Sequence, residues 1–208
     1  RHSDAFLADF ATAVPDALFV QIGANYGFTG DPLNHLIMRP GTRWRGVLVE
    51  PVAHLFEQLS ARYGNDPALQ LERAAIGETD GTTVILRLQT GPGDSLWLEQ
   101  IPSLDPGLLQ RNAGQFGKAD SATVEETVPS LSVATLLERH AIARLDLLVH
   151  DTAGGDWRII RHFDLALLTP NLVLYEHQPL PPTDPEYPHH FHSHPAYAWD
   201  DTVDTQTP

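Results

Sequence analysis

Two short motifs place residues suited to ligand binding directly after apolar segments. A glycine loop from Gly23 to Gly27 follows the apolar segment 17–22, and Glu50 follows the apolar segment 45–49. Glycine tolerates positive φ and lets the backbone approach a ligand closely. An acid about 20 residues beyond such a loop, at the end of the next strand, can accept hydrogen bonds from ribose hydroxyls. The spacing therefore predicts a nucleoside site, with an ordinary strand-to-helix turn as the alternative.

Three further ionisable residues end apolar segments. His150 and Asp151 follow the segment 145–149, and His177 follows the segment 171–175. A carboxylate at Asp151 could attract a cationic group of a ligand, or it could cap the following helix. Imidazole titrates near neutrality, so His150 or His177 could act as a general base. Strand alternation could instead turn His150 away from Asp151, which would make it a packed or surface histidine.

The elements that must position these residues alternate in type along the chain. Strands are predicted at 17–22, 45–50, 69–76, 82–88, 145–149 and 171–175, with a hairpin turn at Asp80 and Gly81. Helices are predicted at 3–13, 33–38, 51–64, 133–140 and 157–163, with Pro51 as a first helical residue. This alternation predicts an α/β fold with a mostly parallel sheet and helices on both faces. Ligands of such sheets bind beyond the carboxyl ends of the strands.

Three regions are distinguished by composition. Residues 1–178 are predicted to form one domain, and 179–208 a Pro/His-rich C-terminal tail. Glycine and proline within 89–123 should prevent long regular structure, and we interpret this insertion as a lid, with a disordered insertion as the alternative. The tail contains alternating histidines that could chelate a transition metal, but a solvated tail is favoured and no metal site is expected: His189, His190, His192 and His194.

The charge and composition exclude several classes of partner. A formal net charge of -14 argues against nucleic acid and against anionic membranes as the main partner. No apolar segment approaches the length of a membrane span. The absence of cysteine and of a signal-peptide pattern leads us to expect a cytoplasmic protein.

Five motifs in order resemble those of the FkbM family of S-adenosylmethionine-dependent methyltransferases. They cover about residues 19–180 and lie at Ile22–Gly27, Val49–Pro51, Arg73–Ile76, Leu145–Asp156 and Tyr175–His177. The resemblance implies a Rossmann-like sheet of the class I methyltransferase type, with S-adenosyl-L-methionine as cofactor. It also implies methyl transfer to a small-molecule acceptor, often to oxygen on a small molecule or sugar. Its C-terminal strands should be shortened or atypical here, and a second chain could complete that edge as a homo-oligomer.

The resemblance and the strand-end positions together assign the site. Asp151, His177 and His150 are the candidate catalytic residues. An apolar adenine wall is expected at Ala75 and Ile76, with ordinary core packing as the alternative. The full set expected to bind the cofactor is Gln21, Gly23, Ala24, Asn25, Gly27, Glu50, Pro51, Ala75, Ile76 and Asp151.

One departure from the family pattern bears on activity. Ala153 stands where the family has a glutamate on the substrate side. A cofactor-binding pseudoenzyme or assembly partner is therefore the alternative to a methyltransferase. A nucleotide-dependent oxidoreductase is a third interpretation, which the lack of a G-x-G-x-x-G phosphate loop disfavours.

Overall fold

The computed structural model describes residues 2–90, 98, 102–103, 106–115, 117, 122–152 and 156–175. Its helices are α1 (His2–Ala13), α2 (Asn34–Ile37), α3 (Ala53–Tyr63), α4 (Pro106–Gln115), α5 (Val133–Arg139), α6 (Asp156–Ile160) and α7 (Leu165–Leu168). Its strands are β1 (Leu18–Ile22), β2 (Arg45–Val49), β3 (Leu69–Glu72), β4 (Ala75–Gly77), β5 (Gly81–Leu88), β6 (Thr123–Ser132), β7 (Leu147–His150) and β8 (Leu172–Tyr175).

The main sheet contains five parallel strands in the order β3-β2-β1-β7-β8. Strand β1 is its centre. The chain runs outward from β1 to β2 and β3 on one side, and later to β7 and β8 on the other. The strand order therefore reverses between β1 and β7, which is where open α/β sheets leave a crevice for ligands.

Helices cover both faces of this sheet, so the predicted mostly parallel α/β fold is confirmed. One face packs against α1, α2 and α3 through side chains that include Leu7, Leu36 and Leu59. The other face packs against α5, α6 and α7 through Leu136, Ile159 and Leu168. The apolar runs of β1, β2 and β7 are buried because a two-sided sheet leaves neither face to solvent.

A second sheet of three strands, in the order β4-β6-β5, corrects two expectations. The strand predicted at 69–76 is divided: β3 belongs to the main sheet and β4 pairs with β6. The expected hairpin at Asp80 and Gly81 is also wrong, because β5 pairs antiparallel with β6 rather than with β4. The Asp80 carboxylate instead accepts hydrogen bonds from the Ser132 N–H and the Thr135 hydroxyl, which hold the turn against the start of α5.

Two further expectations fail for local reasons. Pro51 does not begin α3, which starts at Ala53, because the Glu50 side chain accepts the Val52 N–H and keeps Val52 extended. The insertion 89–123 does contain a regular element, the ten-residue helix α4. Leu109 and Ala113 of α4 are buried in a small apolar cluster of their own with residues of and near β5, which stabilises the helix despite its glycines.

No helix among the described residues is long and apolar enough to cross a membrane. The predicted domain end at residue 178, the tail 179–208 and its histidines lie outside the described residues, as does about half of the predicted lid. Those assignments stay predictions.

Candidate functional site

The glycine loop adopts a tight, left-handed course at the carboxyl end of β1. Gly23, Asn25 and Gly27 all have positive φ, at 81°, 52° and 70°. A Cβ atom on Gly23 would overlap the carbonyl oxygen of Asp151, and one on Gly27 would collide with the ring of Tyr63. Both glycines are therefore required by close packing as well as by backbone conformation.

Every backbone N–H of this loop has an acceptor inside the protein. Gly23 and Ala24 both donate to the carbonyl of Val49 at 3.0 and 2.9 Å, which ties the loop to the end of β2. The remaining three donations are Asn25 N–H to Glu50, Tyr26 N–H to the Asn25 side chain, and Gly27 N–H to the Ala24 carbonyl. The loop is thus held by its own hydrogen bonds and presents no unsatisfied N–H group.

Glu50 lies at the centre of the site and is only 4 % exposed. Its Oε2 accepts the Asn25 N–H at 2.9 Å and its Oε1 accepts the Val52 N–H at 2.8 Å. Burial, together with a smaller effect of the Glu126 charge, raises the pKa of Glu50 from 4.5 to about 7, against the lowering effect of these two hydrogen bonds. A carboxylate has about four acceptor positions, so two remain for hydroxyl donors of a ligand.

The end of β7 lies beside the glycine loop. The Asp151 N–H donates to the Ile22 carbonyl at 3.0 Å, and Gly23 packs directly on the Asp151 backbone. Asp151 is exposed, whereas His150 is only 1 % exposed. Strand alternation places His150 on the sheet face of Leu148, with the Thr152 hydroxyl 3.5 Å from its Nδ1. Of the two candidates at the end of β7, Asp151 is therefore the one that is exposed to solvent.

A polar pair lies at the base of the loop: the sequence predicted Gln21 as a site residue but did not indicate its partner Asp31. The Gln21 side chain in β1 is 1 % exposed, and its Nε2 donates to Asp31 Oδ1 at 3.1 Å. The same Asp31 oxygen accepts the Leu33 N–H. Desolvation raises the pKa of Asp31 above its usual value. Among the described residues, Gln21 Oε1 and Asp31 Oδ2 are buried acceptors without a hydrogen-bond donor.

The other predicted site residues divide into three groups. Pro51 follows Glu50 and is partly exposed. Ala75 and Ile76 are buried in two different apolar clusters, Ala75 with Val52 and Ile85, and Ile76 in the main core, so their role as an adenine wall stays a prediction. His177 and Ala153 lie outside the described residues.

The fold and this arrangement define a Rossmann-like α/β protein whose site lies at the switch point of a parallel sheet. The chain belongs to the FkbM methyltransferase family, because a family model described as a methyltransferase FkbM domain matches residues 21–195. The match begins at Gln21 and extends past residue 178. Neither the comparison with curated proteins nor that with solved structures returned a match.

Proposed function

We propose that the protein uses S-adenosyl-L-methionine to methylate an oxygen atom of a small molecule or sugar. The family supports methyltransferase activity in general. One observation above others supports the choice of cofactor. Glu50 lies beside the glycine loop, and all backbone N–H groups of that loop are hydrogen-bonded within the protein.

That observation favours a nucleoside without phosphates over a dinucleotide. A pyrophosphate is bound by backbone N–H groups that point at its oxygens. In this loop those donors already bind Val49, Glu50, Asn25 and Ala24. Glu50 has acceptor capacity for the two ribose hydroxyls, which a nucleoside supplies. The oxidoreductase interpretation, which needs a pyrophosphate site, is therefore the weaker one.

The charges around the loop suit a cationic cofactor. S-adenosyl-L-methionine has a sulfonium and an ammonium group. Gln21 Oε1 and Asp31 Oδ2 are buried acceptors that an ammonium could satisfy with its three donors. Asp151 packs its backbone against Gly23 and is exposed, and its carboxylate could attract the sulfonium. The chain's net charge of -14 adds a favourable long-range field.

Methyl transfer depends more on the alignment of the acceptor with the methyl group than on additional catalytic side chains. An acceptor oxygen attacks the methyl carbon in line, the carbon–sulfur bond breaks, and its electron pair stays on sulfur. The acceptor proton passes to a base or to water. Holding the two reactants in line and excluding water supplies most of the acceleration. In this proposal Asp151, which is exposed, receives the proton, and His177 and the buried His150 are the other candidates.

Isothermal titration of the full chain with S-adenosylmethionine, S-adenosylhomocysteine and NAD tests the cofactor. We expect the first two to bind and NAD not to bind. Glu50→Ala should abolish binding, whereas the control Asp66→Asn, at an exposed turn, should not change it. NAD binding without S-adenosylmethionine binding would overturn the proposal.

A second candidate, a pseudoenzyme that binds the cofactor but has lost turnover, is favoured by Ala153 in place of the family's glutamate. Methyl transfer from labelled cofactor to a panel of hydroxylated acceptors separates the two. Cofactor binding without transfer in the wild type, with transfer gained in Ala153→Glu, would establish the pseudoenzyme.

A further inference from the structure

Glu126 of β6 joins the second sheet to the start of α3. Its Oε1 accepts the N–H of Ala53, the first residue of α3, at 3.2 Å. Its Oε2 receives the Nε–H of Arg87 from β5 at 2.7 Å. The side chains of both residues are partly buried, so water screens this ion pair less than it would screen a fully exposed pair.

The Glu126 contact is adjacent to the Glu50 contact. Val52 and Ala53 are consecutive, and their N–H groups bind Glu50 and Glu126 respectively. Two carboxylates therefore share the amino end of one eleven-residue helix. The helix dipole favours both negative charges, but they also repel each other. The Arg87 guanidinium offsets the charge of Glu126 and so limits that repulsion.

We propose that Glu126 and Arg87 are positioning residues for Glu50: they fix the start of α3 and set the electrostatic environment in which Glu50 binds ribose hydroxyls. This inference rests on the proposed function. It adds two residues of the second sheet to a cofactor site that lies on the first.

The charges of Glu126 and Arg87 determine in which direction each substitution shifts the pH midpoint of cofactor binding. Glu50 accepts hydroxyl donors best when it is ionised, so cofactor affinity should rise as the pH increases through the pKa of about 7. An unpaired Glu126 should raise that midpoint, and a neutral residue at 126 should lower it. Among the described residues, other titratable groups on neighbouring elements include His54 of α3, Asp151 after β7, and Glu72 of β3, which Arg139 and His140 bind.

The test measures the Kd of S-adenosylhomocysteine for the full chain between pH 5.5 and 8.5. Arg87→Met should move the midpoint of the pH profile up, and Glu126→Gln should move it down while keeping an acceptor for Ala53. A shift of about half a pH unit corresponds to about a threefold change in Kd below the midpoint. Arg87→Lys keeps the charge and should keep the wild-type midpoint. Arg161→Met removes a charge paired with Glu78 instead and is the matched control.

Opposite shifts from the two variants support the proposal. Equal losses of affinity at every pH, with an unmoved midpoint, would show a merely structural role and overturn it. If Arg87→Met unfolds, the Glu126→Gln and Arg87→Lys profiles still decide the outcome. If the wild type binds S-adenosylhomocysteine but no variant shifts the midpoint, this inference alone is overturned. If the wild type does not bind S-adenosylhomocysteine, the proposed cofactor is overturned as well.

Discussion

The backbone N–H of Asn25 lies 2.9 Å from Oε2 of Glu50, so the acid at the end of β2 holds the glycine loop at the end of β1. Asn25 has a φ of 52°, a conformation that costs a non-glycine residue about 1–2 kcal/mol. A hydrogen bond to a charged acceptor contributes about 1.5–3 kcal/mol, which is enough to offset that strain. The same carboxylate therefore shapes the loop and, in the proposed function, also accepts the ribose hydroxyls of the cofactor.

The buried Glu50 should make the protein less stable as the pH rises. Its pKa is raised from 4.5 to about 7 on folding, so its contribution is greatest below pH 4.5 and is lost as the pH rises through 7. A shift of this size corresponds to about 3 kcal/mol. Glu50→Gln cannot ionise, so its unfolding free energy relative to that of the wild type should rise by about 2–3 kcal/mol between pH 5 and pH 8.

Urea unfolding of both proteins at the two pH values measures this difference. Titrating groups that do not interact with Glu50 contribute equally to the wild type and the variant, and their contributions cancel. A gap in unfolding free energy that is the same at pH 5 and pH 8 would contradict the raised pKa of Glu50.

Gly23→Ala should destabilise the fold more than Gly41→Ala. Both glycines have positive φ, at 81° and 91°, so both substitutions introduce similar backbone strain of about 1–2 kcal/mol. Only at Gly23 does the added Cβ meet another group, the Asp151 carbonyl, whereas nothing lies within 4 Å of a Cβ at Gly41. Unfolding free energies of the two variants isolate the contact between β1 and β7. Equal losses of unfolding free energy in the two variants would mean that the backbone around Gly23 and Asp151 shifts to accommodate the added Cβ without an energetic cost.

The main sheet and part of the site were predictable because their signals are local. Apolar runs that end in a glycine loop or an acid mark buried parallel strands, and parallel strands bring their carboxyl ends together. The position of Glu50 follows from this rule alone. Its hydrogen bond to Asn25 does not, because that contact depends on the register between β1 and β2.

The parts that were missed depend on distant pairing. Strand β6 contains Pro129 and two successive glutamates, and it is stabilised by pairing with β5 more than 30 residues earlier. The break between β3 and β4 is a change of sheet, which hydrophobic periodicity does not reveal. Asp31 reaches the site only through its bond to Gln21. A single polar residue in the otherwise apolar strand β1 was the one signal that could have indicated such a partner.

Asp80→Asn should weaken the protein at neutral pH but not in acid. The hydrogen bonds from the Ser132 N–H and the Thr135 hydroxyl lower the pKa of Asp80 below 3.8. A lowered pKa gives a contribution that is present above the unfolded-state value and is lost as the pH falls through the folded-state value. Thermal unfolding at pH 7 and at pH 2.5 should show that the difference in melting temperature between the wild type and Asp80→Asn narrows in acid. If this difference were the same at both pH values, the destabilisation would come from altered hydrogen-bond geometry rather than from the lost charge.

Asp31→Asn should separate stability from cofactor affinity. Desolvation raises the pKa of Asp31, so its charge is unfavourable in the folded protein at pH 7, and removing the charge should leave the unfolding free energy equal or higher. The asparagine oxygen can still accept from Leu33 and Gln21, while the amide nitrogen replaces the acceptor Oδ2. If that oxygen binds the cofactor's ammonium, the Kd of S-adenosylhomocysteine should rise about tenfold or more, as expected for a lost charged hydrogen bond.

5′-Methylthioadenosine lacks the amino-acid moiety and should bind wild type and variant alike. Asp66→Asn, at an exposed turn, should change neither Kd. Equal weakening of both ligands by Asp31→Asn would mean that Asp31 supports the loop and does not contact the ammonium.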